Sequence, residues 1–160
     1  MLYENEKSIY EVIFENANDA IFIMDGEGLV ECNKAAVNMF GYAFDGYKGK
    51  TPFDFSPATQ PDGSISKDLG KKYINEAFTG EKSRRFEWIY SRLDGTLFDA
   101  EVSLDLVNTS NNLFLFVIIR DLSAIKKAES ARSKFEEKYR EFGESAPIGI
   151  YQRNRDGRLR

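Results

Sequence analysis

Apolar and polar positions along this chain follow two different periods, and the switches between them mark its elements. Over residues 3–16, YENEKSIYEVIFEN, the apolar positions Ile9, Val12 and Ile13 fall on one face with charges opposite, which predicts an amphipathic helix. The run DAIFIMD, the turn Gly26-Glu27-Gly28 and the run LVEC then predict a strand, a tight hairpin and a second strand. Asn33 is suited to cap a helix whose apolar positions are Ala36, Val37 and Phe40, closed by Gly41. Residues 42–64 are rich in Gly, Pro, Asp and Phe and read as loop and short helical turns around TPFDFSP. The helical period returns in SKDLGKKYINEAF, which turns Leu69, Tyr73, Ile74, Ala77 and Phe78 inward and stops at Gly80.

Three further strands are predicted from SRRFEWIYSR, TLFDAEVSLDLV and NLFLFVIIRD. The turn between the first two tests its own register. A two-residue turn sets Trp88 opposite Glu101 and Tyr90 opposite Asp99, which mixes the faces. A three-residue loop, Leu93-Asp94-Gly95 with the glycine left-handed, sets Trp88 opposite Ala100, Phe86 opposite Val102 and Tyr90 opposite Phe98. The second register makes one face apolar and gathers Arg85, Glu87, Asp99 and Glu101 on the other, so the bulged hairpin is predicted. The order β-β-α-α-β-β-β places the chain in the α+β class, as a five-stranded antiparallel sheet with helices over one face, a flanking N-terminal helix and a C-terminal helix.

That last helix, residues 122–143, spaces Ile125, Ala128, Arg132, Phe135, Tyr139 and Phe142 alternately by three and four, a heptad seam interrupted by Arg132. It has two readings, a dimer coiled coil or an amphipathic helix folded onto its own sheet, and the dimer is the expected one. Past it, the chain begins to repeat. Sliding it along itself until Tyr10 meets Tyr139 also brings Glu15 onto Glu144, Ala17 onto Ala146, Ile21 onto Ile150, Phe22 onto Tyr151 and Gly28 onto Gly157. A period this long is that of tandem domains. The expected organisation is a flanking helix over residues 1–16, a domain over 17–123, a linking helix over 124–143 and the start of a second domain over 144–160.

Composition narrows the chemistry. The 160 residues carry a formal charge of −4, against a nucleic-acid or anionic-membrane binder. With no histidine there is no His-based triad, no His-ligated haem and no histidine zinc site, and one cysteine builds neither a disulfide nor a thiolate cluster. A reducing, cytoplasmic setting fits the cysteine usage. Asp99, Glu101 and Asp105 share one strand face but point outward by the register above, as a solvated charged face. Gly26 and Gly28 form a hairpin turn with no helix behind it, so they make no nucleotide loop. The chain is not expected to be an enzyme in itself.

The stretches IFENANDAIFIMDGEGLVECNKAAVNMFGY, RLDGT and IIRDLSAIKKAE, in this order and spacing, resemble a PAS domain over roughly residues 8–128. Asp121-Leu122-Ser123 is similar to the Asp-Ile-Thr signature that ends the family's core before a charged signalling helix, and ESAPIGIYQRNRDGRL resembles the opening of a second such domain. The resemblance implies a cavity holding a ligand, a cofactor or nothing, whose state changes the pose of the C-terminal helix. It implies homodimers, a downstream PAS domain and an output domain, a histidine kinase first and a diguanylate cyclase as an alternative. Asp121 is the foremost candidate for the relay, paired with a base at the hairpin such as Arg92 and followed by Ser123; its plainer reading is a strand-end carboxylate capping the next helix. Ile125, Ala128, Phe135, Tyr139 and Phe142 are the candidate dimer positions. Phe22, Met24, Phe40, Trp88, Tyr90, Phe98 and Phe116 are candidates for lining a pocket, against the plainer reading of simple core and a ligand-free scaffold. Trp88 and Tyr90 stand out because each carries a polar tip that needs a partner when buried. Cys32 ends a strand and lacks the helical cysteine motif of flavin-bonding relatives, so no covalent flavin is expected and the ligand is left unnamed.

Overall fold

The computed structural model describes residues 2–80 and 83–145, with side chains described from residue 9 to residue 143. Residues 146–160, most of the stretch that resembles a second domain, lie outside them. Two compact units meet between Leu122 and Ser123. The first holds helix α1 (Leu2–Asn16), strands β1 (Ala20–Asp25) and β2 (Gly28–Cys32), helices α2 (Lys34–Phe40) and α3 (Ser66–Phe78), and strands β3 (Arg84–Ser91), β4 (Leu97–Asn108) and β5 (Leu113–Asp121). In the second, the described part is helix α4 (Ser123–Ser145).

The strands form one five-stranded sheet in the order β2-β1-β5-β4-β3, with every pairing antiparallel. Hairpin β3–β4 takes the bulged register: Trp88 pairs with Ala100, Phe86 with Val102 and Tyr90 with Phe98. Arg92 and Thr96 close the loop, and Gly95 supplies the left-handed residue at φ 87°. Period-two alternation then buries Trp88, Tyr90, Phe98, Ala100, Val102, Leu104, Leu115, Val117 and Ile119 on one face, where they meet Ala20, Phe22 and Met24 of β1. Helices α2 and α3 close that face, contributing Ala36, Phe40, Ile74 and Ala77.

Residues 42–64 bring more to the core than their loop-like composition announces. A short 3-10 turn at Phe44–Gly46 leads into Tyr47 and a second, Pro52–Phe55, carries Phe53 and Phe55, all three nearly or fully buried.

Both sheet edges are partly covered by this connection. On β2, Leu29 exchanges backbone hydrogen bonds with Gly49 and Lys50. On β3, the Gln60 side chain both accepts from the Ile89 N–H and donates to its carbonyl, in place of a neighbouring strand. The approach at β2 is close: a Cβ on Gly28, which sits at φ 135°, would lie 2.6 Å from the Gly49 carbonyl carbon. Gly28→Ala is therefore expected to destabilise the protein by about 1–3 kcal/mol through backbone strain and clash, read as a lower urea midpoint with an unchanged slope.

Candidate functional site

The interior is a continuous mesh of rings. Phe40 stands at its centre, with ring centroids 5.1 to 6.4 Å from those of Phe22, Tyr47, Phe55, Tyr90 and Phe98. Phe53 lies edge-on to Trp88 at 4.7 Å and parallel to Tyr90 at 6.5 Å. Most of these geometries are edge-to-face or offset, the arrangements that ring quadrupoles favour. The polar tips differ in their fate. Trp88 Nε1 donates to Ser56 Oγ at 2.8 Å and the Tyr47 hydroxyl donates to the Ala36 carbonyl at 3.2 Å. The Tyr90 hydroxyl is buried without a hydrogen-bond partner among the described residues. Burial holds both phenols well above their ordinary titration range, so they stay neutral.

Six of the seven candidate pocket residues, Phe22, Met24, Phe40, Trp88, Tyr90 and Phe98, share this interior. Phe116 does not. It pairs with Ile23 of β1 and Asp105 of β4 and alternates with the buried Leu115 and Val117, so it stands on the opposite, outer face of the sheet. Its strand is apolar on both faces, which leaves no alternation from which to read its direction.

At one end of the mesh the apolar rows finish in opposite charges. Arg92 continues the Trp88–Tyr90 row, and Asp121 continues the Leu115–Val117–Ile119 row. The Arg92 guanidinium lies over the Phe98 ring, 3.9 Å from its centroid, while Nη2 donates to Asp121 Oδ2 at 2.7 Å and Nη1 donates to the Met39 carbonyl at the end of α2. One side chain thus joins a core ring, a helix end and the last residue of β5. The backbone adds a second tie beside it, Leu122 N–H to the Asp99 carbonyl at 2.8 Å. Ser123, the next residue, is the first of α4.

Asn33 forms a comparable junction at the other terminus. Its Oδ1 accepts from Ile21 N and Ala36 N, and its Nδ2 donates to the carbonyls of Phe14 and Asp19. The amide that caps α2 therefore also fastens the end of α1 and the start of β1. Along α1, Ile9, Val12 and Ile13 remain more than half exposed. Within α4, Ile125, Phe135, Tyr139 and Phe142 are exposed as well, Ala128 shares their seam, and Arg132 pairs with Glu136 one turn on.

A family model described as PAS domain matches residues 18–124. The chain belongs to the PAS family. Its five-stranded antiparallel sheet and helices are those of a PAS sensory domain. The methyl sulfide methyltransferase-associated sensor of Methanosarcina acetivorans is 26% identical over 125 residues, covering 77% of this chain and 12% of that sensor. The PAS domain of an HTR-like protein from Haloarcula marismortui superposes with a TM-score of 0.59 at 26% identity, covering 74% of this chain and 93% of that one. A domain of a sensory box sensor histidine kinase/response regulator from Geobacter sulfurreducens shares the fold, with a TM-score of 0.56 at 24% identity, covering 74% of this chain and 96% of that one.

Sequence reasoning missed Tyr47, Phe53 and Phe55 as parts of the PAS interior, and the aromatic pair in PFDF was the signal for the last two. Cys32, at the end of β2, packs against the edge of that core. Cys32 is half-buried, and desolvation followed by the charges of Glu15 and Glu31 pushes its thiol up to about 11. Alkylation of Cys32 by iodoacetamide at pH 7.5 is expected to run on the order of tenfold or more slower than that of a free cysteine, as followed by mass spectrometry. Asn33→Ala removes four hydrogen bonds, one of them the cap of α2, and about 3 kcal/mol of lost stability is expected in denaturant melts, with faster amide exchange at the end of α1.

Proposed function

We propose that this PAS domain is the ligand-responsive sensory unit of a larger cytoplasmic signalling protein. The state of its aromatic interior is relayed through Phe98, Arg92 and Asp121 to α4. The observation that carries this reading is the position of Arg92, stacked on a core ring and bonded to the last residue before the helix linker. A ligand that shifts Phe98 removes the surface under the guanidinium, weakens its hold on Asp121 and frees the start of α4. The helix then passes the change on as a paired coil with a second copy, using Ile125, Ala128, Phe135, Tyr139 and Phe142. Linkage to a histidine kinase output is favoured by the sensor histidine kinases among the structural relatives, and a diguanylate cyclase is the alternative. The same densely filled interior supports a second reading, a ligand-free dimerisation scaffold.

The test is Asp121→Ala in the full-length protein that carries this domain, with phosphoryl-transfer output measured with and without stimulus. Output is expected to lose its dependence on the stimulus, and unchanged regulation would remove the relay. In the isolated chain, a double-mutant cycle on Arg92 and Asp121 should give a coupling of about 1 kcal/mol, the scale of a partly exposed ion pair. Phe135→Ala should shift the chain from dimer towards monomer in sedimentation equilibrium; a wild-type chain that is monomeric at high concentration would contradict the coil.

A further inference from the structure

We propose that the Tyr90 hydroxyl is a recognition donor for a neutral, largely apolar ligand bearing one hydrogen-bond acceptor, seated among Phe40, Phe53, Trp88 and Phe98. The inference rests on reading the domain as a ligand-responsive sensor, and it adds the chemistry of the ligand. Tyr90 is fully buried, and its hydroxyl is the one buried side-chain nitrogen or oxygen among the described residues that lacks a partner. Such an atom costs free energy in the ligand-free protein, because its bond to water is given up and nothing replaces it. The other polar tips of the interior are taken: Tyr47 by the Ala36 carbonyl, Trp88 by Ser56, Asn33 by four backbone groups, and Gln60 by Ser66 and Ile89.

Four aromatic rings stand around that of Tyr90, at centroid distances of 5.1 Å to Phe40, 5.9 Å to Phe98, 6.4 Å to Trp88 and 6.5 Å to Phe53. No charged side chain is buried among the described residues. A charged ligand would therefore be desolvated without compensation, while a flat apolar one meets ring faces and a single donor. Burial keeps the phenol protonated, so it presents a hydrogen at any ordinary pH. Phe98 also lines an outer cleft of about 440 Å³ between residues 57–61 and the hairpin, so its ring borders both the interior and the surface. The same ring carries the Arg92 guanidinium, so a ligand that moves it would act directly on the proposed relay.

Three probes of similar shape separate the terms: acetophenone, neutral with an acceptor; isopropylbenzene, neutral without one; and phenyltrimethylammonium, a cation. Binding is followed by chemical-shift titration of the 160-residue chain and of its Tyr90→Phe variant, alongside the thermal midpoint of each protein without probe. Wild type is expected to prefer acetophenone over isopropylbenzene by about tenfold and to reject the cation, and Tyr90→Phe to lose the preference. Without probe, Tyr90→Phe is expected to melt about 3 °C or more above wild type, because an unpartnered donor has been removed. A variant that melts lower shows that the hydroxyl already has a partner, and overturns the inference. If both neutral probes bind both proteins alike, the interior takes ligands without using Tyr90; the inference falls and the sensory reading stands. If no probe binds while Asp121→Ala still uncouples output, the relay holds and this ligand site is wrong.

Discussion

Gly95 sits at φ 87° in the loop between β3 and β4, and that single left-handed residue decides which side chains of two strands face inward. A loop one residue shorter would turn Glu101 and Asp99 towards Trp88 and Tyr90, placing carboxylates against the aromatic mesh. The register also determines what happens at the end of the sheet. Because Arg92 shares its parity with Tyr90, and Asp121 shares its parity with Ile119, both charged groups emerge from the inner face beside each other. The arrangement that builds the interior therefore also builds the ion pair at its rim.

Energetically that pair is modest. The two side chains are 25% and 26% exposed, so water screens much of their attraction, and the contact contributes on the order of 1 kcal/mol. Its importance is positional. Arg92 is held by a ring below, a carbonyl to one side and a carboxylate at the helix linker, and the proposed relay rests on these three contacts meeting on one side chain. A contact of this size suits a relay, since small differential interactions shift a balance between two states whereas a deeply stable one would lock it. Asn33 plays the complementary part at the N-terminal helix, where four bonds on one buried amide give a fixed rather than an adjustable junction.

Much of this was legible in the sequence where a period was imposed. Alternation in β3 and β4 revealed the hairpin register because the wrong register visibly mixed charge into an apolar row. Arg92 and Asp121 came forward by another road, Asp121 from its resemblance to the signature that ends the PAS core and Arg92 as a base at the hairpin within its reach. Legibility failed where period was lacking. Phe114, Phe116 and Ile118 of β5 are as apolar as Leu115, Val117 and Ile119, and only pairing with β1 and β4 assigns Phe116 to the outer face. The 3-10 turns around Tyr47, Phe53 and Phe55 are too short to repeat, so burial there follows from tertiary contact alone. Gln60 satisfies the backbone of Ile89, far along the chain, and local pattern holds no trace of such a bond.

The central claim is that the ring of Phe98 and the foot of α4 are connected through Arg92. Amide hydrogen exchange of residues 119–128, compared between wild type and Phe98→Leu, tests it most directly, because leucine keeps the core filled but removes the face on which the guanidinium rests. Faster exchange at Leu122 and through the first turn of α4, with β5 before Ile119 unchanged, is the predicted result. Exchange altered only around residue 98, with the foot of the helix as protected as in wild type, would contradict the connection.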